Sequence, residues 1–186
     1  MNKRTFIAIK VTPEKNLLDM LSVLKSEFQF EQFKWVNEAN FHITLHFIGE
    51  TTPSQIEAIT EMLHLVTSKN QIFWITINGT GSFGSHGQPR VLFASVDKSE
   101  AFVHLFKEIA DGLTALGLRG IAKTFSPHLT LARVKKIENQ KHFYSTAVTF
   151  KNKLFQSVEV AEIVFYESVF LPSGPVYKTI QKFKLK

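Results

Sequence analysis

The chain of 186 residues contains no cysteine. This absence excludes disulfide bonds, thiolate metal ligands and cysteine nucleophiles, and it fits a protein that works in a reducing compartment. The chain also lacks an apolar run long enough for a membrane span or a signal-peptide core, because Lys10 interrupts the run that begins at Phe6. We therefore expect a cytoplasmic protein without a membrane segment.

Tryptophan and tyrosine are scarce, with 2 and 3 residues against 18 phenylalanines. Phenylalanine buries a large apolar area and has no polar atom to satisfy, so it is expected to fill the core. The formal net charge is +6, and residues 1–93 carry 8 basic and 8 acidic side chains, whereas residues 94–186 carry 14 and 8. This excess suits a polyanionic partner such as RNA, although a solvated basic surface that aids solubility explains it equally well.

Hydrophobic periodicity predicts one α+β domain over residues 1–186, with mostly antiparallel strands. Three helix starts are predicted: Thr12 as the N-cap of the first helix, a capping box in residues 52–55 for the second, and Ser99 for the third. Four glycines in residues 79–89 predict a loop.

A short motif occurs twice, as His42-Ile43-Thr44-Leu45 and as His128-Leu129-Thr130-Leu131. The two histidines lie nearly half a chain length apart. Each copy ends a similar succession of a strand, a helix and a strand that carries the histidine. This arrangement predicts a duplicated lobe.

Strand alternation gives each motif a polar face with the histidine and the threonine, and an apolar face on the other side. If the two lobes meet about a pseudo-twofold axis, the polar faces converge on a cleft where one phosphate lies between two imidazoles. Phosphoryl transfer needs an acid, a base and donors for the phosphate oxygens, and histidine serves as either acid or base near neutral pH. A single His-x-Thr pair is usually structural, but two matched copies favour a catalytic site.

The paired motifs resemble the signature of the two-histidine phosphoesterases. Residues 6–9, 35–36, 42–50, 90–94 and 126–133 resemble the bacterial and archaeal branch, the RNA 2′,3′-cyclic phosphodiesterases, also called 2′-5′ RNA ligases. The resemblance implies a bilobal α+β fold of two pseudo-symmetric lobes, with helices outside and a central cleft. It also implies hydrolysis of a terminal 2′,3′-cyclic phosphate of RNA to a 2′-phosphate without a metal or other cofactor, with 2′-5′ ligation as its reversal.

The resemblance further implies roles for the motif residues. His128 would be the proton acceptor that activates water, and His42 the proton donor to the departing 3′-oxygen. Pseudo-symmetry makes the two histidines look alike, so the opposite assignment stays open. Thr44 and Thr130 would donate hydrogen bonds to the phosphate oxygens.

Two more residues match binding positions of the family. Arg133 would bind the phosphate, and Phe47 would stack on the terminal base. Each lies five residues after a motif histidine, where simple alternation places it on the opposite face. Both reach the cleft only if their strands bend, bulge or end there, and core packing is the alternative for Phe47.

A zinc site also fits one pair of residues, because His42 and His46 are spaced like a helical ligand pair. The local alternation predicts a strand instead, in which four residues span ~13 Å, too far for two ligands of one ion. No metal site is therefore predicted, and His46 is expected at the cleft edge or on the surface. The glycine-rich residues 79–84 resemble a phosphate loop, but they do not open a helix.

The same motifs fit two further kinds of protein. One is an RNA-binding module that holds 2′,3′-cyclic phosphate or 2′-phosphate ends of RNA without turnover. The second is a phosphodiesterase for another cyclic or 2′-5′-linked nucleotide. We expect a monomer that takes RNA with 2′,3′-cyclic phosphate ends or small cyclic nucleotides. The basic residues around the second motif are expected at the cleft mouth: Arg119, Lys123, Arg133, Lys135 and Lys136. The remaining histidines are expected to be structural or solvent-facing: His64, His86, His104 and His142.

Overall fold

The computed structural model describes residues 1–85, 87–118, 126–172 and 174–186, in which it has nine strands and four α-helices. The α+β prediction is confirmed. The strands are β1 (Lys3–Lys10), β2 (Gln32–Trp35), β3 (His42–Thr51), β4 (Phe73–Ser85), β5 (Gln88–Val96), β6 (His128–Lys136), β7 (Leu154–Val160), β8 (Glu162–Leu171) and β9 (Gly174–Lys184). The helices are α1 (Lys15–Glu27), α2 (Pro53–Thr67), α3 (Glu100–Ala115) and α4 (Gln140–Thr149).

All nine strands belong to one antiparallel sheet. Eight follow the order β7-β4-β5-β6-β3-β1-β8-β9, and β2 pairs with β6 beside this path. The two motif strands β3 and β6 are therefore central neighbours, with three further strands on each side. They pair through Ile43 and Leu129 alone, so the sheet consists of two halves joined at this junction: β7-β4-β5-β6 with β2, and β3-β1-β8-β9.

The helices pack against one face of the sheet. Helix α1 contacts β7 and α4 contacts β4 in one half, α2 contacts β9 in the other, and α3 contacts β3 and β4, one strand in each half. Ile43 and Leu129 are fully buried in the core between helices and sheet. No helix of the described residues is long and apolar enough to cross a bilayer. Phenylalanines fill the core as expected. Fully buried examples are Phe28, Phe41, Phe102, Phe143, Phe165 and Phe183.

Two of the three predicted helix starts are confirmed. Thr52 and Gln55 form the capping box of α2, and the Ser99 hydroxyl accepts from the backbone N–H of Phe102 at the start of α3. The prediction for Thr12 is wrong, because Glu14 is the N-cap residue of α1 and makes no side-chain cap. The side chain of Gln156 in β7 instead accepts from the Glu14 backbone N–H at 2.9 Å and donates to the Thr12 carbonyl at 2.8 Å.

The predicted loop at residues 79–89 is also wrong, because residues 79–85 belong to β4 and residues 88–89 to β5, and the two strands form a long hairpin. The glycines serve close approaches within the sheet. Gly79 lies at an irregularity of the register with φ at +52°, where its missing Cβ leaves room for the Lys151 carbonyl. A Cβ on Gly81 would lie 2.6 Å from the Phe93 ring, so glycine allows that ring to pack across the hairpin.

Candidate active site

The two motif histidines occupy matching positions at the starts of β3 and β6. Nδ1 of His42 lies 2.7 Å from the carbonyl oxygen of Asn40, and Nδ1 of His128 lies 2.9 Å from that of Ser126. In each case the carbonyl belongs to the residue two positions earlier. Because a carbonyl only accepts, each Nδ1 carries a proton and donates it. Nε2 is then the ring nitrogen that remains for proton exchange with a substrate.

The Ile43–Leu129 pair brings the polar faces of the motifs together. In an antiparallel register, this pair places His42 across from Thr130 and Thr44 across from His128. All four polar side chains are partly exposed, whereas the motif residues that alternate with them are buried. The expected grouping of two imidazoles and two hydroxyls on one face of the sheet is therefore present.

A bulge follows the threonine in each motif strand. In β3, His46 pairs with Ile7 while Thr44 pairs with Ala8, so one extra residue is inserted in β3. Leu45 and His46 consequently both point into the core, and Phe47 returns to the face of His42. Simple alternation placed Phe47 on the face opposite His42, and the bulge reverses this.

The same irregularity recurs in β6. Ala132 pairs with Leu92 while Thr130 pairs with Phe93, and both Leu131 and Ala132 are fully buried. Arg133 is therefore exposed on the face of His128. The pseudo-symmetry extends to these bulges, which place Phe47 and Arg133 in equivalent positions of the two halves.

Aromatic rings surround both histidines. The His42 ring lies 5.2 Å from the Phe6 ring and 5.0 Å from Tyr177, measured between ring centroids. The His128 ring lies 4.9 Å from Phe83 and 5.5 Å from Phe93. These walls fix the orientation of both imidazoles and limit their access to water.

Burial lowers the pKa of His42 below its ordinary value of 6.5, and the positive charges of Lys10 and His128 lower it further. The bond to the Asn40 carbonyl opposes this shift without reversing it. His42 is therefore neutral near pH 7 in the free protein. It lies in a small cavity of about 40 Å³ whose lining includes Lys10, Tyr166 and Tyr177.

Arg133 contributes charge to the same cleft. Burial raises the pKa of the Tyr177 hydroxyl, and the Arg133 guanidinium opposes that rise through its positive charge. Because Tyr177 packs edge-on against His42, Arg133 of the second half acts electrostatically on the surroundings of the first histidine. This arrangement suits an anionic group held between the halves.

Arg4 covers one face of the Phe47 ring in the free protein. The Arg4 guanidinium carbon lies 4.7 Å from the Phe47 ring centroid and 5.0 Å from that of Phe170. Phe170 is largely exposed, with 65% of its surface accessible. A base that stacks on this face of Phe47 has to displace Arg4.

The expectation for His46 is wrong, because its side chain is 98% buried on the helix side of the sheet. The bulge in β3 turns it toward α3, where Nε2 donates to the Phe106 carbonyl at 2.9 Å and the two rings stack at 4.3 Å. Its Nδ1 has no hydrogen-bond partner among the described residues. Burial lowers the pKa of His46.

Within residues 1–85, 87–118, 126–172 and 174–186, no three His, Cys, Asp or Glu side chains are grouped as ligands of one metal ion. Arg119, Lys123 and His86 lie outside these ranges. Sequence reasoning missed Lys10, Phe83, Tyr166 and Tyr177 as neighbours of the histidines. They come from four other strands, and only the sheet order brings them to the site.

The family model of the LigT like phosphoesterases matches residues 9–93 and residues 95–177, and each stretch contains one of the two motifs. The chain belongs to this family. The resemblance seen in the motif residues is thereby confirmed, and the division of the match agrees with the duplicated lobe.

A relative from Methanocaldococcus jannaschii is 32% identical over 179 residues, covers 96% of this chain and 99% of its own, and is named RNA 2′,3′-cyclic phosphodiesterase. The crystal structure of TT0787 from Thermus thermophilus superposes with a TM-score of 0.79 at 27% identity, covering 98% of this chain and 97% of that one. Escherichia coli LigT in complex with 3′-AMP gives a TM-score of 0.80 at 19% identity over 100% and 99% of the two chains. This last likeness establishes the shared fold.

Proposed function

We propose that this protein hydrolyses the 2′,3′-cyclic phosphate at the 3′ end of RNA to a 2′-phosphate by acid–base catalysis between His42 and His128. The observation that carries the proposal is the matched anchoring of the two rings. Each Nδ1 is fixed by the carbonyl two residues earlier, which leaves both Nε2 atoms to one shared cleft. The name of the Methanocaldococcus relative supports the same substrate.

In the proposed reaction, Nε2 of His128 takes a proton from a water molecule as its oxygen attacks phosphorus. The bond from phosphorus to the 3′-oxygen breaks, and Nε2 of His42 gives a proton to that oxygen. His42 is neutral near pH 7 in the free protein, and it takes up this proton when the phosphate anion binds beside it. The products are a free 3′-hydroxyl and a 2′-phosphate, so atoms and protons balance. A 5′-hydroxyl of RNA in place of water would give a 2′-5′ linkage by the same attack.

The remaining site residues hold the substrate. Thr44 and Thr130 flank the junction and donate hydroxyl hydrogen bonds to the non-bridging oxygens, while Arg133 neutralises their charge. Phe47 provides a stacking face for the terminal base once Arg4 has moved. No step in this scheme uses a metal ion.

The partner proposed is RNA with a 2′,3′-cyclic phosphate end, and small cyclic nucleotides are substrates with the same reacting group. The absence of cysteine suits work in the reducing cytoplasm. One chain supplies both histidines, so a monomer suffices for the reaction.

The proposal is tested by incubating the protein with excess chelator and three substrate classes: RNA with a 2′,3′-cyclic phosphate end, adenosine 2′,3′-cyclic phosphate, and a 2′-5′-linked dinucleotide. We expect turnover of the first two to 2′-phosphates, undiminished by the chelator. Binding of the cyclic end without turnover would make the protein an RNA-end binding module. Cleavage of the 2′-5′ linkage alone would assign a different substrate.

The roles of the two histidines are separated by a nucleoside 2′-phosphodiester whose leaving group is 4-nitrophenolate. This leaving group departs without protonation, so the substrate restores activity to the variant that lacks the acid. We expect a larger recovery for His42→Ala than for His128→Ala. The opposite order would exchange the two roles.

A further inference from the structure

Two cations are paired across the β2–β6 ladder. Lys34 lies directly opposite Arg133, and residues paired in this way project from the same face of a sheet. Both side chains are exposed, and neither has an ion-pair partner among the described residues. Like charges in this position destabilise a ladder unless an anion neutralises them.

The positive charge continues along β6 away from the histidines. Lys135 lies two residues beyond Arg133 on the same face and is exposed. The ends of β5 and β6 then form a cavity of about 230 Å³, lined by Arg90, Lys135 and Lys136 with Gln88 and Gln140. This cavity is larger than the one beside His42, although no motif residue lines it.

The carboxylates around this cavity already have partners. Glu31 accepts from the backbone N–H groups of Glu138 and Asn139 at 2.6 and 3.0 Å, and the Glu138 side chain pairs with Lys136 at 2.6 Å. Arg90 and Lys135 form no ion pair with any described residue. Glu31 keeps its negative charge, because its donors are neutral, and that charge acts on Lys136. The cavity therefore has two positive side chains outside ion pairs, Arg90 and Lys135, and amide groups that donate hydrogen bonds.

We propose that Arg90 and Lys135 form a second anion site, which binds a phosphodiester of the RNA chain upstream of the cyclic end. Lys34 and Arg133 line the surface between this site and the catalytic histidines. The inference rests on the proposed function, since it concerns the body of the same substrate. Lys135 lies seven residues from His128, roughly 20 Å along the strand. A mononucleotide is too short to reach both sites, whereas an oligonucleotide spans them.

The test compares adenosine 2′,3′-cyclic phosphate with RNA oligonucleotides of two to eight residues that end in the same cyclic phosphate. In the wild type, kcat/KM should rise with length and then level off once the chain reaches the cavity. In the double variant Arg90→Gln/Lys135→Gln, the advantage of the long substrate should fall about five-fold, the size expected for two exposed charge contacts. Its kcat/KM for the mononucleotide should not change.

The matched control is Lys69→Gln/Lys107→Gln, which removes two exposed positive charges from the helix side. This control should leave the dependence of kcat/KM on RNA length intact. If it lost the same advantage for long RNA, the effect would come from overall positive charge and not from a specific site. A wild-type enzyme with the same kcat/KM for all lengths would overturn the second site. If the double variant also lost turnover of the mononucleotide, the second site would not be separate from the catalytic cleft.

A binding measurement separates this inference from the proposed function. RNA with an ordinary 3′-hydroxyl end cannot be turned over, and its affinity is measured by fluorescence anisotropy at several salt concentrations. The double variant should bind more weakly, and its salt slope should be smaller by about 0.7, the value for loss of one phosphate contact on a single strand. Equal slopes for variant and wild type would contradict the site, even if cyclic phosphate ends are hydrolysed.

Discussion

Ile43 and Leu129, the residues directly after the two motif histidines, pair with each other at the junction between the halves of the sheet. Both are fully buried on the helix side, so their neighbours His42 and His128 are held on the opposite face. A shift of one residue in either strand would turn that strand's imidazole into the core. The positions of the two imidazoles relative to each other thus depend on one buried pair.

The first prediction concerns the two histidines themselves. His42→Ala and His128→Ala should each lower kcat on a cyclic phosphate end by about 10²–10⁴-fold, because each removes one proton-transfer group. Loss of the His42 ring also removes its contacts with Phe6 and Tyr177, so the Tm of each variant is measured to show that it still folds. His104→Ala is the control, since that exposed side chain lies on α3. Wild-type turnover by either motif variant would contradict the mechanism.

The second prediction concerns pH. Activity needs one neutral ring, so the acidic limb marks loss of the first proton from the doubly protonated pair. The lowered pKa of His42 lets the pair lose this proton below pH 6.5 in the free protein, which sets the acidic limb of kcat/KM there. The bound phosphate anion favours the imidazolium, so the acidic limb of kcat should lie at higher pH. Lys10→Gln removes a neighbouring positive charge and should move the limb of kcat/KM upward. These limbs belong to the coupled pair of histidines.

The pH profiles of wild type and Lys10→Gln are measured with the mononucleotide, under conditions in which chemistry limits the rate. A Lys10→Gln limb at the wild-type position would mean that this lysine does not act on the titrating pair. A profile that is flat across the histidine range would exclude acid–base catalysis by histidine.

The third prediction concerns the face of Phe47 that Arg4 covers. Phe47→Ala should raise the KM for adenosine 2′,3′-cyclic phosphate by about ten-fold, within the range for loss of one base stack. Arg4→Gln should lower that KM, because the base no longer competes with the guanidinium. Ribose 2′,3′-cyclic phosphate, which has no base, should respond to neither change.

Phe30→Ala serves as the matched control for Phe47→Ala, since Phe30 is 88% exposed and makes no aromatic contact with the cleft residues that the structure describes. If Arg4→Gln raised the KM, the guanidinium would be a substrate ligand and not a competitor. An unchanged KM for Phe47→Ala would return Phe47 to a packing role.

The fourth prediction concerns His46 and stability. Its pKa in the folded protein is lowered below 6.5, so the neutral ring stabilises the fold above that pH, and this contribution is lost as pH falls through the lowered value. His46→Gln keeps a donor for the Phe106 carbonyl but cannot be protonated. The variant should therefore lose less Tm than wild type between pH 7 and pH 5.

Loss of the ring stack on Phe106 should lower the Tm of His46→Gln at pH 7. The two effects have opposite signs, which distinguishes titration from simple loss of packing. A Tm that is lower than wild type by the same amount at both pH values would show that His46 does not titrate with unfolding.

The features that the sequence predicted are those with local causes. The capping box of α2 depends on Thr52 and Gln55, three residues apart, and the polar face of each motif depends on simple alternation. Such signals are complete within a few residues. The family resemblance extended them to a fold, because the same short motif occurs twice.

The missed features depend on distant partners. The bulges that expose Phe47 and Arg133 arise from pairing with β1 and β5, and the start of α1 is bound by Gln156, 142 residues from Glu14. Gly81 was predicted to lie in a loop because the local sequence does not show that the Phe93 ring packs across it in the sheet. Helix α4 was not predicted because its Ser, Thr and Val residues have low helix propensity.

The two bulges also bear on how such a chain diversifies. A dimer of identical half-length chains would carry the same side chain at both bulged positions, either two aromatic rings or two guanidinium groups. In one continuous chain the positions differ, with Phe47 in one half and Arg133 in the other. Fusion of the copies therefore keeps the paired imidazoles alike and lets one half specialise for the base and the other for the negative charge.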